Sequence, residues 1–256
     1  MPSYELQYSG EHATTTAQWV EGCLPEVVST SAMTPLVESG ELPELSREEA
    51  LEFFAVDPGA APLTPQLEET INLLDAVLAP GQAGNAALDR LLGATRRALN
   101  AFDGEAGDID AAALDSARVV AVALGEPVLR DLITYDLLSA PQQATRLLKA
   151  LAARLTGAAR ASALCLYALV AGPAGLPHRV GMALTAAREA DPTHRMTRLV
   201  IAAQVQFDPA EVRRRVLVAS LQALDAHRDE RSARQPSAEP PAAGCPRDRP
   251  AGRAAS

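Results

Sequence analysis

Apolar residues return every three or four positions along most of this chain, the spacing that gives an α-helix one buried face. Leu67, Ile71, Leu74 and Leu78 mark such a face over residues 65–79, and Leu88, Leu91, Leu92, Leu99 and Phe102 mark another over 86–102. Leu114, Ala117, Ala121 and Leu124 do the same over 110–124, and Ala144, Leu147, Leu148, Leu151 and Leu155 over 141–156. Further helices are expected near 178–190, 194–206 and 209–226. The run "ASALCLYALVAG" (161–172) is apolar on every side, and at about twelve residues it is too short for a bilayer span of about twenty. It predicts a buried core helix, and no membrane segment is expected.

The starts of these helices are written in proline. Thr64-Pro65, Glu126-Pro127, Ala140-Pro141, Asp191-Pro192 and Asp208-Pro209 each precede a helical pattern. Proline suits the first helical position because the amide it lacks would be unpaired there, and its φ is already set. The residue before it is driven out of the helical region, so the previous helix must stop. Asp191 and Asp208 add side-chain oxygens able to cap the helix that follows. Earlier, "SREEALEFF" sets Ser46 three residues before Glu49, the spacing of a capping box.

The pattern weakens at both ends. "SYELQYSG" alternates Tyr4, Leu6 and Tyr8 as a strand would, but no second strand pattern follows to pair with it. An unpaired edge is an association template, so weak self-association through residues 1–60 is expected. From residue 227 the chain is rich in Pro, Ala and Arg and poor in large apolar residues, the composition of a disordered tail. The expected organisation is a poorly defined segment 1–60, a helical domain 61–226 and a tail 227–256. Short connections between helices imply antiparallel neighbours, and the fold class is an all-α, antiparallel helical bundle.

A shift of 34 residues places Cys165 on Leu199, Ala168 on Ala202, Ala183 on Leu217 and Ala187 on Leu221. That is the tetratricopeptide period, and Pro192 stands where that motif closes its second helix. Ala168 and Ala171 depart from the motif, and two units fall short of the three a stack needs. The reading is a tetratricopeptide-like helix–turn–helix corner near the C-terminus, not a repeat array.

Composition changes the picture only modestly. Aromatic residues are 4% of the chain, so Leu, Val and Ala must build the core. Lys149 is the only lysine. The net charge of −9 is uneven: residues 1–110 hold 19 acids and 4 Arg, whereas 111–256 hold 13 acids and 19 bases. Cys23, Cys165 and Cys245 form no close pair, and no secretory signal opens the sequence, which points to the cytoplasm.

Chemistry is sparse. No phosphate-binding glycine loop occurs; the glycines of "APGQAGN" and "DGEAGD" read as turns without a preceding strand. His12, His178, His194 and His227 lie far apart with no His at i+4 and no Cys-x-x-Cys, so neither a metal nor any other cofactor is expected. His194 reads as a solvent-facing helix residue, and His178 would have to meet Cys165 and a carboxylate in space to make a nucleophilic site. The strongest polar group is "VLRDLITYDLL". There Arg130, Asp131 and Tyr135 either line a polar pocket or form an intrahelical set at the edge of a core helix. The second reading is favoured. Arg213, Arg214 and Arg215 in "EVRRRVL" have only Phe207 as a neighbouring aromatic, and a solvated face explains them better than nucleic acid does.

Four stretches carry a family resemblance, in chain order: "SREEALEFFAVDP", "VLRDLITYDLL", "ALCLYALVA" and "VGMALTAAREADPTHRMTRLV". Together they make residues 20–205 resemble the actinobacterial family with the domain of unknown function numbered 4192, in its C-terminal helical part. The resemblance implies an α/β portion ahead of the helices, of which "SYELQYSG" would be a last strand and "CLPE" (23–26) a remnant motif. It implies no known activity. Two functions stay open: a non-catalytic helical interaction or regulatory module with an unidentified protein partner, or the helical part of an enzyme or ligand-binding protein whose site lies in that N-terminal α/β portion.

Overall fold

The computed structural model describes residues 46–63, 65–102 and 111–233. The strand-like "SYELQYSG", the "CLPE" motif, the association surface expected over 1–60 (up to residue 45), "DGEAGD" and residues 234–256 lie outside the described residues. Those described are helical, with no strand among them. In chain order the helices are α1 (Arg47–Glu52), α2 (Leu67–Leu78), α3 (Gly81–Ala101), α4 (Ala111–Gly125), α5 (Pro127–Ser139), α6 (Pro141–Ala152), α7 (Gly157–Ala171), α8 (Val180–Ala190), α9 (Arg195–Gln206) and α10 (Pro209–Ala233). A 3₁₀ turn, Pro177–Arg179, leads into α8.

Local signals explain most of the boundaries. Ser46 Oγ accepts from Glu49 N–H at 3.1 Å and starts α1. Pro127 and Pro141 occupy the first positions of α5 and α6, and the Glu126 carboxylate accepts from Val128 N–H. Pro209 opens α10, with Asp208 Oδ1 accepting from Ala210 N–H at 2.8 Å. Two proline starts behave otherwise. After Pro65 the chain waits until Leu67, because Gln66 and Glu69 form a reciprocal capping box there. After Pro192 it waits until Arg195, because Asp191 Oδ1 accepts from both Thr193 N and Thr193 Oγ1 and folds 191–193 into a turn. The cap of α9 is therefore His194, not Asp191.

The expected "APGQAGN" turn is helix instead: α3 begins at Gly81, and Gly84 is buried within it. Packing of α2 on α3 outweighs the cost of about 1 kcal/mol that each interior glycine carries. Residues 153–156 form the corner after α6, and Gly157, at φ +57°, turns the chain into α7. At the other end α10 continues past residue 226 to Ala233.

The core centres on α7. Residues 161–171 are all buried, as the all-round apolar run requires, and α7 touches α4, α5, α6, α8, α9 and α10. The predicted faces of α3 and α6 are equally clear: Leu88, Leu91, Leu92 and Leu99 are buried, and so are Ala144, Leu147, Leu148, Leu151 and Leu155. From α2 onward consecutive helices pack against one another, while α1 packs on α8, in an all-α helical bundle. The face expected on α2 is the exception. Leu67 is 76% exposed, and Ile71 and Leu78 are also exposed, while Val77 is buried and Leu73, Leu74 and Ala76 pack against the core. The period holds but the phase is rotated, because with apolar residues scattered round α2 only its neighbours choose the inward side. Leu114 on α4 is likewise exposed, its place taken by Ala113 and Val120.

Polar ties fasten the ends. Arg160 on α7 donates to the carbonyls of Phe54 and Ala152, joining the segment after α1 to the end of α6. Phe53 lies between Lys149, whose Nζ is 3.4 Å from the ring centre, and the Arg179 guanidinium at 3.7 Å. Asp136, buried on α5, pairs in bidentate fashion with Arg96 on α3 at 3.0 and 3.3 Å. No helix among the described residues is long and apolar enough to cross a membrane.

Candidate functional site

A groove of about 780 Å³ lies between α5, α7, α9 and α10. That volume falls within the usual range for small-molecule sites. Leu199, Val200 and Ala203 on α9, Phe207 beyond it, and Val212, Val216 and Ala219 on α10 give it apolar walls. Leu199 is 60% exposed, so this apolar lining opens to solvent. Arg130, Asp131, Ser162, His194 and Arg195 supply its polar end.

The structure therefore brings Arg130 and Asp131 to one groove. Tyr135 is half-buried, stands outside the lining, and offers its carbonyl to Ser139 Oγ at 2.7 Å. The pairing on this helix is between neighbours: Arg130 Nε and Nη2 both donate to Asp131 Oδ1, at 2.9 and 2.7 Å. The Arg130 side chain is only 11% exposed, whereas Asp131 is 54% exposed. Two of the five guanidinium N–H groups are thus used, and the other three have no acceptor among the described residues.

The residue that sequence reasoning missed is His194. Expected to face solvent, it is buried, at 8% exposure, and joins α9 to α7. Its Nδ1 accepts from Thr197 N–H at 3.4 Å and lies 2.8 Å from Thr197 Oγ1; its Nε2 lies 3.0 Å from Ser162 Oγ. The cap fixes the tautomer. Nδ1 must hold the lone pair, so Nε2 carries the proton and donates to Ser162. The Thr197 hydroxyl then donates to Nδ1. The chain Thr197–His194–Ser162 ties the start of α9 to α7. A His three residues before a Thr, opening a helix behind a proline turn, is the signal that could have found it.

This polarity bears on chemistry. A serine nucleophile needs a histidine that accepts its proton, and here the imidazole donates instead. Burial, then the positive charge of Arg130, hold His194 below its usual range, with Asp191 opposing in part. Burial pushes the Cys165 thiol up to about 12, far from thiolate formation at neutral pH. Cys165 is fully buried within α7, and no hydrogen bond among the described residues joins it to His178 or a carboxylate.

The arginine-rich stretch of α10 is also engaged. Arg214 and Arg215 both pair with Glu211, which they hold at about 2, and Arg215 lies over the Phe207 ring at 4.1 Å. Arg213 Nη2 donates to the Leu138 carbonyl at 2.6 Å and fastens α10 to α5. Among the described residues no group of three or more His, Cys, Asp or Glu is arranged to hold a metal ion.

Fold and groove together define an all-α helical-bundle protein with a solvent-open, largely apolar groove that carries one nearly buried arginine. The chain belongs to the family described as a domain of unknown function (DUF4192), whose model matches residues 5–210. The match begins at residue 5 and ends at 210, so it takes in the N-terminal segment as well as α1 to α9. No curated protein and no solved structure matches the chain.

Proposed function

We propose that this chain is a non-catalytic helical binding module of the regulatory or interaction type, working through the groove between α5, α7, α9 and α10. The observation that carries the proposal is the solvent-open apolar wall built by Leu199, Val200, Phe207 and Val216. Exposed apolar surface in a concave setting marks a place where something else is bound. The reactive side chains nearby support the same reading, since Ser162 and His194 are spent on joining helices and the Cys165 thiol is fully buried. On this reading the α8–turn–α9 unit serves as the tetratricopeptide-like corner that presents Leu199. The protein works in the cytoplasm, where the buried Cys165 thiol stays reduced.

The test is fluorescence titration of the full chain with N-phenyl-1-naphthylamine, a neutral apolar probe. Leu199→Asp should abolish enhancement, while Val205→Asp, at a still more exposed α9 position outside the groove, should leave it unchanged. Equal enhancement in wild type and both variants, or none in any, would overturn the groove as the working surface.

A further inference from the structure

The polar end of the groove holds two donors with capacity left over, and they sit side by side. Arg130 has three N–H groups without an acceptor among the described residues, on a side chain 11% exposed. Ser162, 1% exposed, uses its oxygen to accept from His194 Nε2, and its own hydroxyl proton has no acceptor among the described residues. Donors that are largely shielded from water yet face the groove are placed to take an acceptor that arrives with a ligand. The start of α9, where backbone amides give a partial positive charge, lines the same end through His194 and Arg195. Asp131 is the carboxylate of the lining against Arg130, Arg195 and Arg215, and it is already engaged by Arg130.

From that end the groove follows α9. At about 1.5 Å per residue, His194 and Phe207 lie about 20 Å apart along the helix. The wall between them is Leu199, Val200 and Ala203, faced by Val216 and Ala219. A cationic, donor-rich end thus leads into an elongated apolar wall.

We propose that the groove binds a small amphipathic carboxylate, its acid group received by Arg130 and Ser162 and its hydrocarbon body laid along Leu199, Val200, Ala203 and Val216. This rests on the groove being the working surface and adds the chemistry of its occupant. Charge complementarity selects the acid over an alcohol or a cation of the same length. The tautomer of His194 matters as well, because an imidazole that donates to Ser162 leaves the hydroxyl proton available to another acceptor.

Calorimetric titration of the full chain with dodecanoate and dodecyltrimethylammonium below their micelle concentrations, and with dodecanol below its solubility limit, tests this without any variant. Dodecanoate should bind at least tenfold more tightly than the other two. Arg130→Gln should remove that preference, Arg130→Lys should restore part of it, and Ser162→Ala should weaken dodecanoate about three- to tenfold. Circular dichroism melts report whether each variant remains folded. Equal affinity for acid and alcohol would overturn the carboxylate while leaving the groove as a binding surface. Failure of all three to bind, together with an N-phenyl-1-naphthylamine signal indifferent to Leu199→Asp, would remove both readings. An acidic amphipathic helical peptide that binds more tightly and displaces dodecanoate would overturn the small-molecule occupant in favour of a protein partner.

Discussion

Replacing His194 by alanine tests the polar chain that closes the groove. The change removes the cap of α9, a loss of about 1 kcal/mol. It also strips the buried Ser162 oxygen of its donor and the Thr197 hydroxyl of its acceptor, which costs about 1–3 kcal/mol more. A total of about 3 kcal/mol is expected in urea unfolding. His194→Asn retains a capping side chain but is too short to reach Ser162, so it should cost about half as much. The double variant His194→Ala with Ser162→Ala should cost less than the two singles together, by about 1 kcal/mol, since the orphaned hydroxyl is then gone. pH provides a second readout. Burial holds the folded imidazole below its usual range, so as pH falls through about 6.5 the unfolded chain takes up a proton that the folded chain refuses. Stability from this residue is therefore full above that pH and declines below it, and the decline should be absent in His194→Asn. A cost under about 0.5 kcal/mol for His194→Ala, or strictly additive singles, would refute the chain as a structural link.

Three further outcomes follow from the packing. Leu166→Ala, at the centre of α7, should lose about 2–5 kcal/mol in thermal or urea unfolding, whereas Leu67→Ala should change stability by less than about 0.5 kcal/mol. Cys165 should resist a thiol-specific reagent in the native protein and react on unfolding, as peptide mapping by mass spectrometry would show; its thiol at about 12 and its full burial both require this. In the Arg96–Asp136 pair, Arg96 is 62% exposed and Asp136 9%. Arg96→Met, which leaves a buried carboxylate unpaired, should therefore cost about 1–3 kcal/mol and more than Asp136→Asn, which leaves only a solvated arginine.

The family is legible in the residues themselves, because short motifs in a fixed order survive as letters. So are the helices, since an apolar period of 3.6 and a proline at the first turn act within a few residues of one another. Leu88 to Leu99 on α3 and the all-round apolar α7 lie where local pattern alone puts them. Where apolar residues surround a helix loosely, as on α2, the period survives but the choice between Leu67 and Val77 as the inward residue does not, because that choice belongs to the neighbours. The candidate site divides in the same way. Arg130 and Asp131 stand out as polar residues on an apolar helix, yet Tyr135, in the same stretch, falls outside the groove. His194 reads as solvent-facing because nothing in the sequence near it says that Ser162, thirty-two positions earlier, will lie 3.0 Å away. Local sequence determined which segments became helices and where most of them stop, through backbone hydrogen bonds and caps that close within one turn. Only the tertiary structure decided which faces are buried, how the histidine is oriented and what the groove offers a ligand, because those depend on contacts between residues far apart in the chain.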